Sequence, residues 1–189
     1  MACLLTRSRA EACKDSVAGI KEIYFVDFGL LGSYTLGSSD ELTNAVSAED
    51  ITAHKYLVKG NNSFETTVNA SRDNGTVFFE QVLNITLKKL TKEDNKELKL
   101  LAAGRPHIFV VDQNDNVFLM GKDNGADVTA GTVSTGNALG DFNGYNLTFT
   151  AMEKLPPNFV TVDSTAATFP LSELAGLTGT ITIGAPVSV

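Results

Sequence analysis

The 189-residue chain has no tryptophan, only two cysteines, two histidines and five prolines, and fewer basic than acidic residues. Each shortage excludes something. Cys3 and Cys13 are too few for a disulfide scaffold and lack the spacing of a zinc site. Two reduced thiols are expected, with a Cys3–Cys13 bridge left open. His54 and His107 stand far apart, which leaves little material for a Ser-His-Asp arrangement or a multi-histidine metal site. Fifteen basic against 22 acidic residues give a net charge of −7, which argues against a protein that binds DNA by neutralising phosphates. No apolar run approaches the roughly 18 residues of a membrane span, and no apolar core of a signal peptide follows the start, so neither is expected. Hydrophobic residues at 43% and charged residues at 20% fit one globular domain that buries a sizeable core without disulfides or metal.

What is present is mostly strand pattern. Residues 21–28 (KEIYFVDF) are rich in β-branched and aromatic types and predict a strand, as do residues 51–59. Between them, residues 29–50 turn polar and glycine-rich and read as a long loop. From Ser63 the pattern has period two. Ser63, Glu65, Thr67 and Asn69 alternate with Phe64, Thr66, Val68 and Ala70. Beyond Asp73-Asn74-Gly75, Val77, Phe79, Leu83, Ile85 and Leu87 alternate with Phe78, Glu80, Val82, Asn84 and Thr86. An Asn-Gly step between two such runs predicts a long-armed antiparallel hairpin.

Thr91 followed by Asp94 marks a helix start, and Gly104 with Pro106 marks its stop, Gly104 serving as a left-handed cap. The helix is expected over residues 92–103. Strands are expected again at 107–112, 116–122 and 126–133, the last entered through a second Asn-Gly turn. A further strand follows in which Tyr145, Leu147 and Phe149 oppose Asn146, Thr148 and Thr150. The Thr-, Ala- and Gly-rich residues 156–189 read as a C-terminal extension with one strand near 180–183. The domain plan is an N-terminal arm (1–20), a β domain (21–155) and that extension. The fold class is mainly β (α+β), an antiparallel barrel or sandwich with one packed helix.

Chemistry is scarce. There is no phosphate-binding glycine motif. Asp112, Asn114 and Asn116 copy the opening of a calcium loop and Asp123 falls at its end, but Val117 occupies the required glycine position and the closing Glu is missing. A polar hairpin turn is the expected structure there, with a calcium- or ligand-binding β-module as the minor alternative. A small hydrolase has no nucleophile motif to rest on. No enzyme activity, metal or cofactor is expected.

A further signal is a run of short motifs in order: Cys13-Lys14-Asp15-Ser16-Val17-Ala18-Gly19-Ile20-Lys21, Ser63-Phe64-Glu65 and Asn74-Gly75-Thr76-Val77-Phe78-Phe79-Glu80-Gln81. Leu87-Lys88-Lys89-Leu90, Leu100-Leu101-Ala102, Val110-Val111-Asp112, Gly121-Lys122-Asp123-Asn124-Gly125 and the run from Gly140 to Thr150 complete them. Together they span about residues 13–157, and in them the chain resembles bacteriophage tail tube proteins; Ala18 stands where the family pattern has a second glycine, and residues 29–50 and the C-terminal extension match poorly. The resemblance implies a virion structural protein, assembled in the bacterial host cytoplasm. It would form homohexameric rings, stacked into a tube that conducts genomic DNA without binding it. Its partners would be itself, a sheath or terminator, the baseplate and the tape measure, with no membrane. The same fold serves tail terminators, baseplate hubs and the inner tubes of contractile injection systems, which remain alternatives. Lumen-facing candidates are Glu65, Asn69, Glu80, Asn84, Asn146 and Thr148; candidates for contact between rings are Ser33, Tyr34, Leu36, Asp40 and Glu41. The six acids and one base from Asp123 onward suit a lining that repels phosphates.

Overall fold

The computed structural model describes residues 7–186. Cys3 lies outside them; Cys13 is exposed with a free thiol. Twelve strands and one helix follow in the order β1 (Ile20–Val26), β2 (Ser33–Leu36), β3 (Leu42–Val46), β4 (Ile51–Leu57), β5 (Ser63–Ser71), β6 (Thr76–Lys88), α1 (Lys92–Ala103), β7 (His107–Asp112), β8 (Val117–Met120), β9 (Asp127–Ser134), β10 (Gly144–Glu153), β11 (Asn158–Phe159) and β12 (Ile181–Gly184). They form a six-stranded sheet in the order β11-β8-β7-β1-β4-β12, a four-stranded sheet β5-β6-β10-β9 and a two-stranded sheet β2-β3. The fold is mainly β, and no sheet closes into a barrel.

The six-stranded sheet is the middle layer. Its central strands β1 and β7 are near-continuous apolar runs, which is what a strand buried on both faces requires. One face presents Ile23, Phe25, Ile108, Val110 and Met120 to Leu83, Ile85, Leu147 and Phe149 of the four-stranded sheet. The other presents Tyr24, Val26, Phe109, Val111 and Leu119 to Leu31, Leu42 and Ala45 around the β2–β3 hairpin and to Leu171, Leu174 and Leu177 near the C-terminus.

Three expectations change here. Residues 29–50 are not one long loop but contain the β2–β3 hairpin, closed by a turn in which Gly37 N donates to Glu41 O at 2.8 Å and Asp40 takes a φ of 59°. The C-terminal extension is not an arm. Its three leucines supply one wall of the core, and β12 adds a parallel strand beside β4. Leucines spaced by three among Thr, Ala and Gly resemble low complexity in sequence, yet they meet the middle sheet's need for cover. The barrel expectation gives way to sandwiched open sheets, because the edges β5 and β9 are unpaired within one copy.

The helix occupies Lys92–Ala103, with Thr91 Oγ1 accepting from Asp94 N at 3.0 Å. Its end differs from expectation: Gly104 is extended (φ −98°, ψ 176°) rather than left-handed, and its N–H closes the last turn on Leu100 O. The chain must leave the helix extended to reach Pro106, whose ring restricts Arg105 to extended backbone. No helix residue is fully buried; Leu98 and Leu101 lean on the core while Leu100 is 54% exposed.

Candidate functional site

The four-stranded sheet carries two chemically opposed faces. Pairing puts residues at matching register on the same side, so Phe64, Leu83 and Phe149 face inward together, as do Ile85 with Leu147 and Leu87 with Tyr145. The alternate positions form the outer face. There Ser63, Asn84, Thr148 and Ala130 make one row across four strands, and Thr86, Asn146 and Thr132 another. Thr67, Glu80 and Met152 make a third row, with Glu65 beside Val82 and Asn69 beside Phe78. All six residues singled out in the sequence, Glu65, Asn69, Glu80, Asn84, Asn146 and Thr148, therefore share one face.

That face is knitted by its own hydrogen bonds. Thr148 Oγ1 donates to Asn84 Oδ1 at 2.8 Å, and Asn84 Nδ2 donates to Ser63 Oγ at 3.2 Å, a chain across three strands. Thr86 Oγ1 donates to Asn146 Oδ1 at 2.9 Å, and Asn69 Nδ2 to Glu80 Oε2 at 3.3 Å. Amides and hydroxyls satisfied in this way leave few free donors, and the apolar Val82, Met152 and Phe78 stand among them on the same face. Its carboxylates are Glu65, Glu80 and Asp127 against the lysine Lys88, so the face leans acidic.

At the far end the β5–β6 hairpin overhangs its neighbours. Pairing of β6 with β10 stops at Phe79, opposite Glu153, while β5 and β6 run on to Ser71 and Thr76. The turn is a four-residue loop, 72–75, with Gly75 at φ 62°, rather than a two-residue Asn-Gly turn. The overhang is apolar on both sides: Val68 is 59% and Val77 56% exposed on the inner face, and Phe78 is 37% exposed on the outer. Nothing in a single copy covers it.

The candidates of the β2–β3 hairpin are not brought together. Tyr34 and Leu36 pack against the chain's own core, and Glu41 Oε2 accepts from Ser39 N at 2.8 Å inside the turn. Only Ser33 and Asp40 among the five are exposed. The calcium-loop resemblance ends in an Asx-type turn. The Asp112 carboxylate accepts from the backbone N–H groups of Asn114 and Asn116, both at 2.8 Å, and from Asn116 Nδ2 at 2.9 Å. Donors occupy the oxygens a cation would need. Among the described residues no group of three or more acidic, His or Cys side chains is placed to hold a metal.

Sequence reasoning missed a buried polar clasp around the Gly121–Gly125 turn. Gln81 and Glu153 both lie on the inner, apolar side of the four-stranded sheet, in phase with Leu83 and Ala151; that break in an apolar row was the available signal. Gly121 N donates to Gln81 Oε1 at 3.2 Å, and Asp123 N and Asn124 N donate to Glu153 Oε1 at 3.0 and 2.8 Å. Glu153 Oε2 is buried without a hydrogen-bond partner. His107 ties the same turn to the loop after β1. Its Nδ1 lies 2.8 Å from Gly121 O and so donates, while Nε2 accepts from Gly29 N at 3.1 Å. Phe28 stacks on the ring at 5.0 Å and Tyr34 meets it edge-on at 6.4 Å.

Both groups titrate away from their ordinary values. Burial lowers the His107 pKa, opposed by the Gly121 carbonyl and the Asp123 charge. Burial raises the Glu153 pKa, opposed by the N–H groups of Asn124 and Asp123. The two act on stability with opposite sign. The fold holds His107 neutral, so the unfolded chain protonates first and stability declines as pH falls below about 6.5. The fold favours protonated Glu153, so its contribution is greatest in acid and is lost as pH rises through its raised value. Urea titrations from pH 7 to 5.5 are expected to show a falling midpoint for Glu153→Gln that is steeper than for the parent chain. The His107-dependent part of that fall is absent in His107→Gln.

A comparison with protein-family models returns no match, and none of the curated proteins matches the chain.

Proposed function

We propose that this chain is a structural ring protein of the tail-tube type, whose four-stranded sheets join edge to edge around a DNA-conducting lumen. The observation that carries this reading is the four-stranded sheet itself. Its inner face is committed to the core, its outer face is polar and acid-leaning, and its two edges β5 and β9 are free. An all-antiparallel sheet of four strands has edge strands that run in opposite directions. Laid head to tail, β9 of one copy meets β5 of the next in antiparallel fashion, and repetition gives a continuous antiparallel wall. Such a heterologous contact closes into a ring if the rotation allows, and closure removes the exposed edges that would otherwise template aggregation.

In that arrangement the lumen is lined by Glu65, Asn69, Glu80, Asn84, Asn146 and Thr148. Satisfied amides and hydroxyls offer phosphates few donors, and the surplus carboxylates repel them, so DNA passes without sticking. The apolar hairpin overhang supplies a surface for a neighbouring copy, within the ring or in the next one. The role of the protein in the virion would then be that of a tail tube subunit or a close relative in the tail, such as a terminator or inner-tube ring.

Negative-stain imaging of the concentrated full chain tests the assembly. Rings or tubes are expected; a strictly monomeric protein that also fails to polymerise on added tail components overturns the reading. The lining has its own test. Glu65→Lys with Glu80→Lys is expected to leave assembly intact but make the assemblies retain double-stranded DNA at low salt, released steeply as salt rises. Equal DNA retention by parent and variant assemblies would remove the lumen assignment.

A further inference from the structure

We infer that Asn74, at the tip of the β5–β6 hairpin, is a site of spontaneous modification. Its side-chain amide converts through a cyclic imide to aspartate and isoaspartate, while the fold protects the chain's other two Asn-Gly steps. The inference does not depend on the ring proposed above.

The sequence contains three such steps, Asn74-Gly75, Asn124-Gly125 and Asn143-Gly144. In each, the residue after Asn has no side chain to shield its backbone nitrogen. The reaction needs that nitrogen to reach the Asn side-chain carbon. The Gly N–Cγ bond forms as the Cγ–Nδ2 bond breaks, and Nδ2 leaves as ammonia with the proton of the peptide nitrogen. Water then opens the imide. Attack at Cγ leaves aspartate; attack at the backbone carbonyl leaves isoaspartate, with the chain running through Cγ. Either product adds a negative charge, and water is the only co-reactant. The chemistry is the same at all three steps, so their surroundings set the rates.

Asn124 is locked. Its Nδ2 donates to Met152 O at 2.7 Å and its N–H to Glu153 Oε1 at 2.8 Å. Gly125 N donates to Gly121 O at 3.2 Å, and Gly125 is buried so closely that a Cβ there would lie 2.6 Å from Arg105 O. Turning the Gly125 nitrogen toward the side chain breaks these bonds inside packed surroundings. Asn143 is locked through its backbone. Its carbonyl accepts from Lys89 N at 2.7 Å, and Gly144 is a buried strand residue paired on both sides, with Lys88 and with Ser134. A Cβ at Gly144 would run into Leu87 O.

Asn74 has no such restraint. Among the described residues nothing hydrogen-bonds its side chain. Its N–H donates to Ser71 Oγ at 3.3 Å and Gly75 N donates to Arg72 O, also at 3.3 Å, both long. Residues 72–75 are all exposed, and a Cβ at Gly75 would meet no atom within 4 Å. β10 pairs with β6 no further than Phe79, so the tip can turn without disturbing the four-stranded sheet. Each hydrogen bond that must open first slows the step by roughly two- to tenfold, and local opening of packed backbone adds to that. The isoaspartate product stands beside Asp73 and puts an extra backbone atom into the turn, so an aged chain carries a longer and more acidic hairpin tip.

The test holds the full chain in mildly alkaline buffer, folded or in unfolding urea, and samples it over time. Peptide mass spectrometry reads the amide-to-acid mass gain at each site, and an isoaspartyl methyltransferase with a labelled methyl donor counts the isoaspartate. Each site is referred to its own rate in urea. Folded Asn74 is expected to stay within about threefold of that rate, while Asn124 and Asn143 slow by about tenfold or more. Asn74→Gln is expected to remove most of the isoaspartate formed by the folded chain and to leave its thermal midpoint unchanged. Folded Asn124 or Asn143 converting as fast as Asn74, or Asn74 slowed by folding as strongly as they are, overturns the inference.

Discussion

Replacing Phe149 by alanine is expected to cost the fold about 3–5 kcal/mol. Phe149 is fully buried at the centre of the contact between the four- and six-stranded sheets, 5.3 Å from Phe25 and paired with Leu83 across β6. Strands on both sides are held by their own ladders, so the backbone cannot close around the missing ring and a cavity remains. Domains of this kind are stable by about 5–15 kcal/mol, so the loss is a large share of the total. Urea unfolding checks it: the midpoint falls sharply with the slope unchanged. Phe149→Leu, which keeps most of the volume, recovers the greater part. A loss below about 1 kcal/mol for Phe149→Ala would mean that the two sheets do not pack as described.

The second large effect concerns assembly rather than folding. For the ring proposed above, Val68→Lys with Val77→Lys is expected to abolish assembly while the monomer melts as before. Both side chains are more than half exposed in one copy, so the monomer loses little by their change. If a neighbouring copy covers them, each burial contributes about 1.5–3 kcal/mol per subunit contact. Losing one of these raises the concentration for assembly by roughly ten- to a hundredfold, and burying a lysine in its place adds further cost. Sedimentation of the variant and parent at matched concentrations separates the outcomes. Parent rings that persist in the variant would show the overhang to lie outside the contacts that build the assembly. Loss of the monomer fold would instead assign the overhang to the chain's own stability.

Several features were legible in the sequence because they are local. The Thr91 cap and the stop before Pro106 are contained within one helix. The period-two pattern from Ser63 onward is contained within one hairpin. The same pattern separated the polar from the apolar residues within β6 and within β10; that Asn146 and Thr148 share a face with Glu65, Asn69, Glu80 and Asn84 came only with the pairing of β10 to β6. The clasp of Gln81, His107 and Glu153 was not legible, because its partners are backbone groups of a turn distant in the chain. A side chain's type does not reveal which buried N–H it will meet. The polar look of residues 29–50 misled for the opposite reason. Of their apolar residues Leu31, Leu42 and Ala45 are buried, Leu30 and Leu36 are half-buried and Val46 is 52% exposed, so a hairpin packed by one face shows only a sparse apolar pattern.

By itself the sequence determined the secondary structure of the hairpin and helix, the polarity of the outer sheet face, and the demand of β1 and β7 for cover on both sides. It could not say what supplies that cover. The tertiary structure decided that the four-stranded sheet covers one face and that the β2–β3 hairpin with Leu171, Leu174 and Leu177 covers the other. The reason is physical: period and capping act over a few neighbouring residues and are written in order along the chain. Which distant apolar residues meet is settled only by the packing of whole layers, where a low-complexity segment with three well-placed leucines serves as well as a strand.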